Sequence, residues 1–210
     1  METMKGAIFD LDGVIVDTAK YHYLAWKKLA NQLGFDFTEE QNERLKGVSR
    51  VRSLEILLEI GGINLTEEEQ EKYRELKNEW YLDYIKDMKT DELLKGAKEY
   101  ILQLKKAGIK ISLGSASKNA VLILKNLDIY DLFDAIIDGN QVSKAKPDPE
   151  VFLKAAEALG LDSSVCTVFE DAEAGVQAGK AAGMYVVGIG TKENLPEADR
   201  VVAGLYELLV

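Results

Sequence analysis

The chain has 210 residues, 47% of them hydrophobic and 30% charged, the balance of a folded domain with a real core and room for a sizeable insertion. A net charge of −10, from 36 acids against 26 bases, argues against a nucleic-acid surface, which needs a basic stripe. No apolar run is long enough to cross a membrane and the N-terminus lacks the form of a secretory signal, while a lone Cys166 cannot make an internal disulfide; a cytoplasmic protein with no membrane partner is expected.

The first predicted strand is Lys5–Phe9, and it runs into Asp10-Leu11-Asp12-Gly13. Residues i and i+2 of an extended segment lie on one side, so both carboxylates can face one pocket. Two carboxylates that close repel unless a cation or a shared proton intervenes. Asp-Gly is also ordinary turn chemistry, so the pair alone does not decide the matter.

Residues 18–88 contain no convincing strand. Helices are predicted over Thr18–Leu33, near Glu39–Lys46, near Arg50–Ile60 and over a long acidic stretch, Glu67–Lys86. The first places His22, Trp26, Leu29 and Leu33 on one face. Thr38-x-x-Gln41 and Thr66-x-x-Glu69 have the capping-box form that opens a helix. After Lys95 the texture alternates. Helix Ala97–Ala107 is closed by Gly108, then come strand Lys110–Gly114, helix Asn119–Leu127 and strand Ala135–Ile137. A helix from Pro149, strand Val165–Phe169, helix Ala172–Ala182 and strand Tyr185–Ile189 complete it, with Cys166 read as buried core. Such alternation implies βαβ units and an α/β fold: a Rossmann-like parallel-sheet core with an inserted all-helical cap. Residues 1–17 and 89–210 are assigned to the core domain and 18–88 to the cap, a block placed to act as a lid.

Three more strands end in unusual polar clusters. Strand Lys110–Gly114 runs into Ser115-Ala116-Ser117-Lys118-Asn119, whose hydroxyls and amides suit phosphoryl oxygens. Lys146 precedes a helix start, a poor place for a cation on structural grounds alone. Strand Val165–Phe169 runs into the adjacent acids Glu170 and Asp171, which suit a hard cation with oxygen ligands. All of these fall on the carboxyl edge of the sheet, where open α/β folds bind ligands.

In order and context, Asp10-x-Asp12-Gly-Val, Ser115, Lys146-Pro and Glu170-Asp171 resemble the four motifs of the haloacid dehalogenase superfamily, over essentially the whole chain. Asp12 points to its phosphoryl-transfer branch, because dehalogenases proper carry no acid there. Ala172, where relatives often have Ser, and Lys144, a competitor to Lys146, are the departures. Lys46-Gly47-Val48-Ser49-Arg50-x-x-Ser53, Ser115–Asn119 and Thr18-x-x-x-His22-x-x-x-Trp26 are similar to the β-phosphoglucomutase family.

That resemblance implies Asp10 as a transiently phosphorylated nucleophile and Asp12 as general acid and base. It implies Mg2+ held by Asp10, the Asp12 backbone carbonyl, Glu170 and Asp171. Ser115, the Ala116 amide and Lys146 would hold the transferring group; Arg50, Ser117, Lys118 and Asn119 would hold a second, non-reacting phosphate. Lys46, Gly47 and Ser53 belong to the cap motif. His22 reads equally as a packed neighbour of Trp26 and as a contact of Asp12 or substrate, and Thr18 as a helix N-cap or a hinge residue. The expected reaction interconverts β-glucose 1-phosphate and glucose 6-phosphate through glucose 1,6-bisphosphate, in a monomer acting on small sugar phosphates. A sugar-phosphate phosphatase and a non-catalytic phosphosugar-binding protein are the alternatives.

Overall fold

Six parallel strands make one sheet in the computed structural model, which describes residues 4–45 and 48–210. Lys46 and Gly47, part of the cap motif above, lie outside the described residues. The strands are β1 Gly6–Phe9, β2 Lys110–Gly114, β3 Ala135–Ile137, β4 Cys166–Glu170, β5 Tyr185–Ile189 and β6 Arg200–Val202, in the spatial order β3-β2-β1-β4-β5-β6. β1 is central and fully buried, as its unbroken Gly-Ala-Ile-Phe run requires of a strand covered on both faces. The sequence did not suggest β6, a three-residue edge strand that begins on an exposed arginine.

Between β1 and β2 the chain forms helices α1 Ala19–Gln32, α2 Glu39–Asn42, α3 Arg50–Gly61 and α4 Glu67–Ile85. Both capping boxes are present, with Thr38 and Thr66 hydroxyls accepting from the Gln41 and Glu69 amides. This helical insertion has a core of its own around Trp26, Leu29, Phe37, Leu54 and Leu57. Two cation-bearing residues, Arg74 and Lys77, are buried on α4 beside Tyr81 and Ile85. α5 Ala97–Lys106 leads into β2, and α6 Ala120–Asn126, α7 Glu150–Leu159 and α8 Glu173–Ala181 follow it. α5 and α6 cover one face of the sheet, α7 and α8 the other. Cys166 is buried in the second of these layers.

The two passages between sheet and insertion lie side by side: Val16 pairs with Leu93, and the Leu94 N–H donates to the Ile15 carbonyl at 2.9 Å. On the opposite side of β4, α8 packs close because its residues are small. A Cβ on Gly175 would lie 1.8 Å from Glu170 Oε1, so only glycine leaves room for that carboxyl. Gly175→Ala is therefore expected to lower stability by about 1–3 kcal/mol, the usual cost of overpacking. Urea unfolding checks this, and an unchanged midpoint would mean that Glu170 can swing aside without cost.

Candidate active site

Asp10 follows β1, Ser115 follows β2, Glu170 ends β4 and Asp171 comes after it. Register aligns Phe9 with Leu113 on one side and Phe169 on the other, so the next residues share one rim of the sheet. The Asp10 N–H donates to the Phe169 carbonyl at 3.0 Å, carrying the ladder one residue past β1 and fixing the root of the carboxylate.

Lys146 reaches this rim from the loop before α7. Its Nζ donates to Asp10 Oδ1 at 2.7 Å and to Glu170 Oε1 at 2.6 Å, with all three side chains buried. Lys144 points away, exposed and paired with Asp148 at 3.3 Å. Burial pushes Asp10 up to about 6, with Lys146 pulling the other way. Burial by itself would lower Lys146, but Asp10 and Glu170 together raise it, so the ammonium is kept. Asp171 is pushed well above the usual carboxylate range by burial and by Glu170, Asp10 and Asp12 around it. Asp10, Glu170 and Asp171 each offer an oxygen within 4.8 Å of the others. This all-oxygen, anion-rich donor set fits a hard divalent cation, whose charge would relieve the crowding that lifts Asp171. Gly13 closes the approach: its φ is +76°, and a Cβ there would sit 2.0 Å from Asp171 Oδ2.

Asp12 is in a different environment from Asp10. Burial, then the Asp10 charge, pushes its carboxyl up to about 8. It is thus protonated at neutral pH and able to donate, while Asp10 is ionised. The Thr18 hydroxyl donates to Asp12 Oδ1. Thr18 occupies the N-cap position of α1 yet makes no side-chain cap bond, so its hydroxyl serves the carboxyl rather than the helix end. It is fully buried behind Asp12 and does not face the cavity.

A cavity of about 350 Å³ separates the rim from the helical insertion, a volume within the range of small-molecule sites. Asp10, Asp12 and Asp171 form its floor. His22, Trp26, Arg50 and Ser53 face it from the insertion, and Ser115, Ala116, Ser117 and Lys118 from the loop after β2. That loop is self-ordered: Ser115 Oγ accepts from the Ser117 amide at 3.1 Å, and Ser117 Oγ from the Asn119 amide at 3.3 Å. Lys146 and Glu170 stand behind the floor, and Asn119 behind the wall.

Among the wall residues that went unread in the sequence are Lys77 and Asn78. Lys77 Nζ lies 2.9 Å from His22 Nδ1, and 4.5 Å and 4.8 Å from the Trp26 and Tyr81 ring centres. His22 in turn stacks on Tyr81, centre to centre 4.1 Å. Burial, then neighbouring cations, holds both His22 and Lys77 well below their ordinary values. A signal for Lys77 existed: positions 74, 77, 81 and 85 form the buried stripe of α4, and a lysine on such a stripe calls for a local reason.

The sign of the Lys77 shift gives a test. Between its lowered folded value and the ordinary lysine value the unfolded chain binds a proton the folded chain lacks, so stability rises with pH across that window. Lys77→Met keeps the volume and removes the penalty. Its gain in urea stability is expected to be largest near pH ~6 and to shrink toward pH ~9.5; equal gains at both would contradict a depressed Lys77.

A haloacid dehalogenase-like hydrolase family model matches residues 4–183. The β-phosphoglucomutase of Bacillus subtilis is 47% identical over 207 residues, covering 98% of this chain and 92% of that protein. A phosphorylated carbohydrates phosphatase of Thermotoga maritima is 32% identical, covering 86% and 82%. The crystal structure of β-phosphoglucomutase from Clostridium difficile superposes with a TM-score of 0.95 at 43% identity, covering 98% of this chain and 93% of that one. With sequence, fold and the carboxylate-lined rim in agreement, the chain belongs to the haloacid dehalogenase superfamily and, within it, to the β-phosphoglucomutase family.

Proposed function

We propose that this chain interconverts β-glucose 1-phosphate and glucose 6-phosphate by way of a phosphorylated Asp10 and glucose 1,6-bisphosphate. The observation that carries the reading is one cavity with two unlike ends: a nucleophile and an acid on its floor, and a guanidinium, Arg50, on the insertion side. Hydrolysis requires only the first. The 47% identity to the Bacillus subtilis mutase supports the same choice.

In this scheme an ionised Asp10 oxygen attacks the phosphorus of the bisphosphate. The oxygen–phosphorus bond to the sugar breaks as the new Asp10–phosphorus bond forms, and Asp12 gives its proton to the departing sugar oxygen. The return step reverses these roles: Asp12 takes the proton of the other sugar hydroxyl, which attacks phospho-Asp10. Lys146, Ser115 and the Ala116 amide hold the transferring oxygens. Arg50, with its planar fork, and Ser117, Lys118 and Asn119 hold the phosphate that is not reacting. Mg2+ bound by Asp10, the Asp12 carbonyl, Glu170 and Asp171 would offset the negative charge of nucleophile and phosphate. We divide the chain into a core of residues 1–17 and 89–210 and a cap of residues 18–88 that closes on the sugar. His22, Trp26 and Ser53 belong to its inner face, and the sequence motif assigns Lys46 and Gly47 to the same cap.

The test supplies β-glucose 1-phosphate, magnesium and a trace of glucose 1,6-bisphosphate, and follows glucose 6-phosphate and free phosphate together. Glucose 6-phosphate is expected to dominate, because a closed cap excludes water while the distal phosphate positions the sugar hydroxyl. Arg50→Ala should cut that flux far more than it cuts phosphate release. Free phosphate as the main product from many sugar phosphates would instead make this a phosphatase, the activity named for the Thermotoga maritima relative.

A further inference from the structure

Two lysines, Lys144 and Lys146, stand two residues apart on the loop before α7, and only Lys146 enters the site. The Lys146 side chain is 1% exposed and the Lys144 side chain 68%. Charge and length do not distinguish them, so the choice is made by how the loop is held. Glu150, the first residue of α7, reaches back over that loop. Its Oε2 accepts from the Ser143 N–H and hydroxyl, each at 3.0 Å, and from the Lys144 N–H at 2.7 Å. Its Oε1 is held by Lys154 Nζ at 2.7 Å, and the same Nζ donates to the Gln141 carbonyl at 2.7 Å.

These bonds pin the chain immediately before Lys146. The Lys144 amide points to Glu150, and its ammonium turns outward to Asp148 Oδ2 at 3.3 Å. The Asp148 N–H donates to the Ala145 carbonyl at 3.0 Å, so residues 145–148 form a turn with Lys146 at its first corner. Asp148 Oδ1 then accepts from the Glu150 N–H at 3.0 Å and closes the loop on the start of α7. α7 is a firm base for this, with Val151, Phe152 and Ala155 buried in the core, and Lys146 Nζ lies 4.8 Å from the Phe152 ring centre. Lys154, then the Lys144 amide, hold the Glu150 carboxyl down to about 2, so it is ionised throughout the neutral range.

We propose that Glu150 is a positioning residue that sets the register of this loop, so that Lys146 rather than Lys144 enters between Asp10 and Glu170. A lysine stem is flexible and its ammonium strongly hydrated. Without the pinned loop, Lys146 would exchange the two carboxylates for water part of the time. Glu150 touches neither substrate nor reacting atoms and acts through Lys146. Its consequence for turnover rests on the role given to Lys146 in the proposed reaction, whereas its effect on where Lys146 lies does not.

Two variants of the full-length, magnesium-loaded protein separate reach from charge. Glu150→Gln keeps an acceptor oxygen at full reach without the charge, and Glu150→Asp keeps the charge one methylene short. Brief acetylation followed by peptide mapping reads the loop without any substrate. In the parent protein Lys144 should be labelled and Lys146 spared. Glu150→Asp should label Lys146 roughly tenfold faster, the order expected for losing the loop's hydrogen bonds, and Glu150→Gln should stay within about twofold of the parent. Cys166, buried behind α7, should stay closed to thiol reagents in both variants, which excludes general unfolding. Formation of glucose 6-phosphate should fall about tenfold or more in Glu150→Asp, as misplacement of a positioned group predicts. In a Lys146→Ala background, Glu150→Asp should cost little more, because the residue it acts through is gone. Sparing of Lys146 in Glu150→Asp would overturn the proposal, as would a full additional loss in the Lys146→Ala background. An intact Asp variant beside an exposed Gln variant would also overturn it, making Glu150 a charge at a helix start. Exposure of Lys146 with undiminished turnover would overturn the role of Lys146 in the reaction, while the labelling would still establish the positioning.

Discussion

Lys146 holds together two buried carboxylates, Asp10 and Glu170, that adjacent parallel strands deliver to the same point. Three ionisable groups out of contact with water are tolerable only as a set, because removing one would leave an uncompensated charge. Much of the local architecture answers to that set. β1 and β4 must be neighbours, α8 must carry glycine where Glu170 turns, and Gly13 must leave space for Asp171. The same crowding separates the two acids of the motif: Asp10, in contact with the ammonium, ionises near pH 6, and Asp12, one pleat further and next to a hydroxyl, near pH 8. The two acids differ because Lys146 contacts Asp10 directly, whereas Asp12 is raised by burial and then by the Asp10 charge itself.

The helical insertion brings the opposite balance. Arg50 and Lys77 face the cavity in a chain whose overall charge is −10, while Arg74, buried on the same helix as Lys77, is paired with Glu67 and Glu71. Lys77 shows the cost of that arrangement, since burial and then the neighbouring Arg50 hold it well below the ordinary lysine value, beside His22. An anionic ligand between floor and insertion would be drawn to this side, and in the proposed scheme the floor receives only the phosphoryl group that reacts. The division of labour suits a substrate with phosphate at both ends.

The fold was legible because its strands are short apolar runs between helical stretches, and because capping boxes mark α2 and α4. β6 was not, since three residues beginning on Arg200 carry no period and are defined only by pairing with Val187, Gly188 and Ile189. The floor of the site, and Glu170 behind it, were legible for a related reason: Asp10, Asp12, Glu170 and Asp171 follow or end hydrophobic strands, where a charge stands out. Lys77 and Asn78 sit in a helix already rich in charge, where the stripe shared with Tyr81 and Ile85 marks Lys77 only weakly and nothing but the packing of α4 marks Asn78. His22, ambiguous between packing and function in the sequence, is stacked on Tyr81 and also faces the cavity. Thr18 also resolves, since its hydroxyl turns to Asp12 and leaves the helix end uncapped.

The claim on which the rest depends is that Asp10 becomes covalently phosphorylated. The direct measurement is to mix the protein with glucose 1,6-bisphosphate and magnesium, quench in acid, reduce with borohydride and map peptides, since reduction converts a phosphorylated aspartate to homoserine. Homoserine at position 10 is the predicted result. Homoserine at position 12, or at neither position in a preparation that turns over, would contradict the account.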